Sequence, residues 1–178
     1  MTSEEKGLVI LYTGEGKGKT TAALGLVLRA AGYNKKCLIV QFGKVWFTGE
    51  LAGIKKLGPS IKIIQGGKGF LDILGSKVSK AEHKKAADEA FDILYKEVKS
   101  QNWDIVVADE IVGAVASNVL ALNLAVKLIK DRPLGLDLIL TGHHADKKLI
   151  KLADLVTEMQ EIKHPYQKGI LAKKGIDF

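Results

Sequence analysis

Between two apolar segments the chain reads YTGEGKGKTTAALG, Tyr12 to Gly25, with four glycines and a Lys-Thr-Thr triplet. A turn of successive backbone N–H groups that opens into a helix is a concave anion site. Glycine lets the backbone make that turn without a Cβ clash. The flanks suit it: LVILY (Leu8–Tyr12) reads as a strand, and Thr20 to Ala31 as an Ala/Leu helix stopped by Gly32. Strand, phosphate-holding turn and helix in this order commit the chain to an α/β architecture.

The same alternation continues downstream. CLIVQF (Cys37–Phe42), IKII (Ile61–Ile64), IVVADE (Ile105–Glu110) and LDLILTG (Leu136–Gly142) read as further strands, with LVTEMQEI (Leu155–Ile162) as a sixth. The second, fourth and fifth are almost wholly apolar, as strands are when helices cover both faces of a sheet. Ser79 to about Gln101 predicts a long helix. Ser79 and Glu82 fit a capping box, and Ala87, Ala90, Phe91, Leu94 and Val98 recur on one face. Ser117 to Lys130 predicts another helix, ending before DRP. With no repeat or linker in 178 residues, the expectation is a single α/β domain over residues 1–178. The expected architecture is a P-loop NTPase-like (RecA-like), mostly parallel sheet with helices on both faces.

Composition narrows the partners. The net charge is +7, yet all of the 27 basic residues except Arg29 and Arg132 are lysines, spread along the chain. Base readout relies on the guanidinium fork, so no specific nucleic-acid binding is expected. No apolar run reaches the roughly 18 residues of a membrane span. MTSEEKG is not a secretory signal, and the lone Cys37 excludes a disulfide framework. The expected compartment is the cytoplasm.

In the glycine-rich turn, Lys19 reaches phosphates as a point charge and Thr20 offers a hydroxyl to Mg²⁺ or Mn²⁺. One departure stands out. The common pattern G-x-x-x-x-G-K-[ST] places glycine where this chain has Thr13; its glycine comes one place later, at Gly14. A differently shaped loop is expected. IVVADE supplies the second anchor, with Asp109 and Glu110 as metal-associated carboxylates. Glu110 has two open roles, activating a water or only orienting the metal. These residues support a nucleotide binder and leave its chemistry open.

Taken nearly end to end, the chain resembles the P-loop corrinoid adenosyltransferases that act on ATP and cob(I)alamin. The resemblance is carried by TGEGKGKTTAALGLVLRAAG with its shifted glycine, VQF, GKGF at Gly67–Phe70, VVADE, DRP, LILTG and the ending ADLVTEMQEIKHPYQKGILAKKGIDF. It implies transfer of the 5′-deoxyadenosyl group of ATP to cobalt, with triphosphate as the leaving group and ATP running through the loop in reversed order. It matches Gly14, Glu15, Gly16, Lys17, Gly18, Lys19, Thr20 and Thr21 to the family's phosphate loop. Lys19, Thr20 and Glu110 take the catalytic positions, and Thr20, Asp109 and Glu110 the metal positions. Arg29 matches an arginine near the nucleotide, with a surface charge as the alternative.

On the corrinoid side Phe70 matches one of two aromatics that pack beneath the ring in the family, but Leu71 and Asp72 replace its threonine and tryptophan. Either Trp46 or Phe47 substitutes for them or the corrinoid chemistry is altered; the alternative for these two aromatics is a place in the core, the default, or at a dimer contact. His143 stands where the family commonly has arginine, at the carboxyl end of a strand and facing the crevice. Adjacent strand positions point to opposite faces, so His143 and His144 are not expected to share a metal. KHPYQKG (Lys163–Gly169) reads either as a mobile tail or as part of the active site. The resemblance further implies a homodimer and a reductase or flavoprotein electron donor. Two rivals remain: a kinase or ATPase cleaving at the γ-phosphate, and a non-catalytic ATP- or corrinoid-binding module.

Overall fold

The computed structural model describes residues 6–69 and 78–178. Its strands are β1 (Val9–Thr13), β2 (Cys37–Phe42), β3 (Ile61–Gly66), β4 (Ile105–Asp109), β5 (Asp137–Thr141) and β6 (Leu155–Glu158). Its helices are α1 (Lys19–Ala31), α2 (Gly49–Lys56), α3 (Lys80–Lys99), α4 (Ile111–Ala116), α5 (Leu122–Asp131) and α6 (Lys147–Leu152). The strands form one sheet in the order β3-β2-β4-β5-β1-β6, and every pairing is parallel.

Strand periodicity explains the apolar runs. Leu38, Val40, Val106, Ala108, Leu138 and Leu140 enter one core with residues of α3, α4, α5 and α6. Their neighbours Cys37, Ile39, Ile105, Val107 and Ile139 enter a second core with α1 and Ile54 of α2. β2, β4 and β5 therefore bury both faces, and no polar face is left on them for an alternating pattern. Truncating one of these buried Leu or Ile residues to Ala costs about 2–5 kcal/mol. Cys37 is part of this packing. Burial pushes its thiol up to about 11, which suppresses the reactive thiolate.

The long helix forms as its capping box predicts. Glu82 N–H donates to Ser79 Oγ at 3.3 Å, and Ser79 N–H donates to the Glu82 carboxylate at 2.9 Å. It stops at Lys99 because Gln101 turns into the left-handed region with φ 59. Replacing Ser79 by alanine is expected to cost about 1 kcal/mol. A thermal melt should register it as a fall of roughly 2–4 °C, with turnover unchanged.

Other elements differ from expectation. The helix placed at Ser117 to Lys130 begins only at Leu122, as α5: residues 117–121 are not helical, Asn118 taking φ 56, and a separate short helix, α4, ends just before them at Ala116. The sixth strand ends at Glu158 rather than Ile162, and all four of its residues are exposed at the sheet edge. Helix α2 carried no signal, since Ile54 is its only buried residue and no apolar stripe exists to be read. No helix of the described residues is long and apolar enough to cross a membrane.

Candidate active site

The carboxyl ends of the parallel strands gather the polar residues, as open α/β sheets do. Gly14 (φ 97) and Gly18 (φ 118) turn the loop after β1. The segment leaving β6 braces it from behind. Gly16 N–H donates to Met159 O at 2.7 Å, and Met159 N–H donates to Thr13 O at 2.8 Å. A Cβ on Gly14 would stand 2.3 Å from Met159 O, and one on Gly16 2.7 Å from the Gln160 backbone. The shifted glycine thus has a mechanical reason, and so does the tie between the loop and the distant ADLVTEM segment. Thr13, standing where the common pattern has glycine, accepts a hydrogen bond from Ala145 N–H at 3.3 Å and anchors the β5–α6 connection to the loop.

Lys19 is buried within the loop. Its Nζ donates to Gly14 O at 2.7 Å and to Gly16 O at 2.8 Å. Burial holds its pKa below that of an ordinary lysine, opposed by Glu110 and Glu15. Such an ammonium is poised to exchange two carbonyl oxygens for anionic ones.

Asp109 is the most heavily bonded side chain of the site. Thr20 Oγ1 and Thr141 Oγ1 each donate to its Oδ1 at 2.8 Å. Gln41 Nε2 at 3.2 Å and Lys44 Nζ at 3.1 Å donate to its Oδ2. Lys44 also reaches Glu50 at 3.4 Å. Burial alone would lower the Lys44 pKa, but the carboxylates of Asp109 and Glu50 raise it overall. Glu110 takes the left-handed conformation (φ 64) at the start of α4, and its N–H donates to Thr141 Oγ1 at 2.9 Å. Burial, followed by repulsion from Asp109, raises its pKa against the pull of Lys19 and Lys44.

Gln41, Lys44, Glu50 and Thr141 were not singled out by sequence reasoning. Gln41 and Thr141 carried a usable signal: each is a polar residue at the carboxyl end of an otherwise apolar buried strand.

His143 and His144 do not lie on β5. They follow it, after Gly142 (φ 142), and His144 itself has φ 53, so the opposite-face expectation does not hold. Both imidazoles turn to Glu15, with His143 Nδ1 at 3.6 Å and His144 Nδ1 at 3.2 Å from its carboxylate oxygens. Among the described residues no group of three His, Cys, Asp or Glu side chains forms a metal cluster.

Arg29 is not brought to the loop. It lies exposed in the last turn of α1, ten residues or roughly 15 Å along the helix from Lys19, where it complements the helix dipole. Trp46 and Phe47 are not core residues, being 39% and 65% exposed. Phe70, Leu71 and Asp72 lie outside the described residues. The KHPYQKG stretch forms a short 3-10 turn, Pro165–Lys168, and the chain beyond it returns to the site, where Asp177 pairs with Lys17.

Two cavities open at this end of the sheet. One, of about 610 Å³, is lined by Lys17 to Thr21, Lys44, Trp46, Thr48 to Glu50 and Gly175 to Phe178. The other, of about 560 Å³, is lined by Gly43, Gly67, Gly69, Gly113 and several alanines, with His83, Lys68 and His144. Of the described residues, Glu110 and His143 alone line both.

The hard oxygens of Thr20, Asp109 and Glu110 suit a Mg²⁺ ion that takes its remaining ligands from phosphates and water, rather than an all-protein cage. The 2.8 Å approach of Thr20 Oγ1 to Asp109 puts two of these donors side by side.

A glycine loop with an invaginated lysine after β1, a carboxylate at the end of β4, one strand removed across β5, and a parallel sheet define a P-loop nucleotide-binding protein. A KaiC-like protein from Pyrococcus horikoshii OT3 shares the fold, with a TM-score of 0.58 over 89% of this chain and 75% of that one at 22% identity. Residues 5–178 match the family described as ATP:corrinoid adenosyltransferase BtuR/CobO/CobP. A corrinoid adenosyltransferase of Sinorhizobium sp is 35% identical over 99% of this chain and 82% of its own length. One from Escherichia coli (strain K12) is 32% identical over 98% and 87%. The chain belongs to the ATP:corrinoid adenosyltransferase family.

Proposed function

We propose that this enzyme transfers the 5′-deoxyadenosyl group of ATP to the cobalt of a reduced corrinoid and releases triphosphate. The observation that carries the reading is the pair of cavities meeting at Glu110 and His143. One is walled by the phosphate loop and suits a nucleotide. The other has glycines and alanines over about half of its lining, with Phe42 and Val119 beside them, and suits a flat ligand pressed against backbone. A reaction joining carbon of one ligand to metal of the other belongs at their junction.

In this reading the loop N–H groups of residues 14–21 and the Lys19 ammonium hold the triphosphate, with its α-phosphate toward Glu110. Lys17 leaves Asp177 for a phosphate oxygen. Thr20, Asp109 and Glu110 would hold Mg²⁺ or Mn²⁺, which when bound would supply positive charge against the polyphosphate. Asp109 in turn keeps Lys44 and Thr20 fixed, so the donors are already oriented when charge develops. Arg29, exposed at the far end of α1, has no part in these contacts. A homodimer in the cytoplasm, supplied by a reductase or flavoprotein electron donor, completes the proposal and rests on the resemblance alone.

The test is spectroscopic. Chemically reduced cobalamin incubated with the protein, ATP and Mg²⁺ should give a light-sensitive alkylcobalamin spectrum. A cobalamin spectrum that stays unalkylated at enzyme concentrations comparable to substrate rules the activity out.

A further inference from the structure

Glu15 is the one residue of the phosphate loop ill suited to a phosphate, since a carboxylate repels the anion the loop is shaped to hold. Its carboxylate instead lies against the Nδ1 edges of His143 and His144, at 3.6 and 3.2 Å. The 3.6 Å separation is an ion-pair contact rather than a hydrogen bond; with Nδ1 of His143 turned to Glu15, Nε2 is the ring nitrogen left for a ligand. His143 is also one of only two described residues that line both cavities, Glu110 being the other. Glu110 is a carboxylate and has no hydrogen to donate when ionised. That leaves His143 as the donor at the junction.

We propose that His143 is a catalytic residue that donates a hydrogen bond from Nε2 to the triphosphate oxygen leaving C5′, and that Glu15 is the positioning residue holding the imidazole by Nδ1. The inference rests on the adenosyl-transfer reading and assigns a residue to its leaving-group side. As the electron pair of one-valent cobalt forms the Co–C5′ bond, the C5′–O bond breaks and its pair stays on the α-phosphoryl oxygen. Cobalt becomes formally three-valent, and no further oxidant or reductant enters the step. An imidazolium, with hydrogen on both nitrogens, can pair with the Glu15 carboxylate through Nδ1 and donate to that oxygen from Nε2, so it is the working form.

The charged and titratable groups acting on His143 are Lys19, Glu15 and His144, and Glu110 shares its cavity linings. Burial and then Lys19 hold its pKa below the usual histidine value, with Glu15 opposing them. A bound triphosphate neutralises Lys19 and adds negative charge beside the ring, which favours the imidazolium in the complex. The imidazolium exists below the pKa of the complex, so kcat falls as pH rises through the imidazole range.

The experiment measures kcat and KM for ATP with chemically reduced cobalamin, from about pH 6 to 9, spanning the imidazole titration. The proteins are wild type, His143→Asn, Glu15→Gln, their double variant and His143→Arg. Expected are a loss in kcat of about 10²–10³-fold for His143→Asn with KM for ATP little changed. Glu15→Gln should lose less, and the double variant should fall no further than His143→Asn. His143→Arg, which keeps a permanent donor, should recover activity and flatten the pH profile. An undiminished kcat in His143→Asn, additive losses in the double variant, or identical pH profiles for wild type and His143→Arg each overturn the assignment. If His143→Asn does not fold, the comparison of wild type with His143→Arg decides. An inactive wild type brings down the adenosyl-transfer reading and this inference together, whereas an active wild type with indifferent His143 variants brings down the inference only.

Discussion

Replacing Lys19 by alanine is expected to remove about 2–4 kcal/mol of transition-state stabilisation, roughly a 30- to 900-fold loss of turnover. The ammonium is buried in the loop and already bonded to the Gly14 and Gly16 carbonyls, so it needs no reorganisation to meet a polyphosphate. Its largest contribution should come as charge builds on the leaving group, so kcat should fall more than KM for ATP rises. Steady-state kinetics on the purified variant check this. Turnover near that of wild type would mean that the phosphates do not run past Lys19.

Asp109→Ala is expected to show its main effect before any substrate is added. Four donors converge on this carboxylate, which is 1% exposed, and one is the largely buried ammonium of Lys44. Removing one partner of a buried pair costs about 3–5 kcal/mol, because the other charge stays in the interior. In a chain of this size that is a fall in Tm of roughly 6–20 °C, read by calorimetry. Glu50, 3.4 Å from Lys44, limits the loss by retaining one carboxylate beside the ammonium. A Tm within a degree or two of wild type would show that the Asp109–Lys44 pair does not stabilise the fold.

The sheet was legible because its physics is local and repeated. CLIVQF and its counterparts are apolar on both faces, and residues 37–42 form the strand at the bounds read from the sequence. The capping box at Ser79 was equally local. The start of α5 was not, because Asn118 takes the left-handed region and delays the helix read from Ser117 until Leu122. Helix α2 was hidden for the opposite reason, its exposed surface giving no period.

At the site the sequence separated residues that the fold brings together. Lys19, Thr20, Asp109 and Glu110 were found by spacing, but Lys44 gave no sign that it would bond to Asp109 across 65 positions. Gly14 and Gly16 were read as phosphate-facing turns, and only the tertiary structure shows that they also admit the backbone of Met159 and Gln160. His143 was placed at the carboxyl end of a strand, facing the crevice, and it does line both cavities there. The turn at Gly142 carries it off the strand and onto Glu15, the residue that gives it a role.

The most direct test of the whole account is to separate the phosphorus-containing products after turnover with reduced corrinoid, by phosphorus NMR or ion chromatography. Cleavage at C5′ predicts inorganic triphosphate in equal amount to adenosylcorrinoid, with no ADP at early times. ADP with orthophosphate, or a phosphorylated acceptor, appearing in step with corrinoid turnover would contradict it.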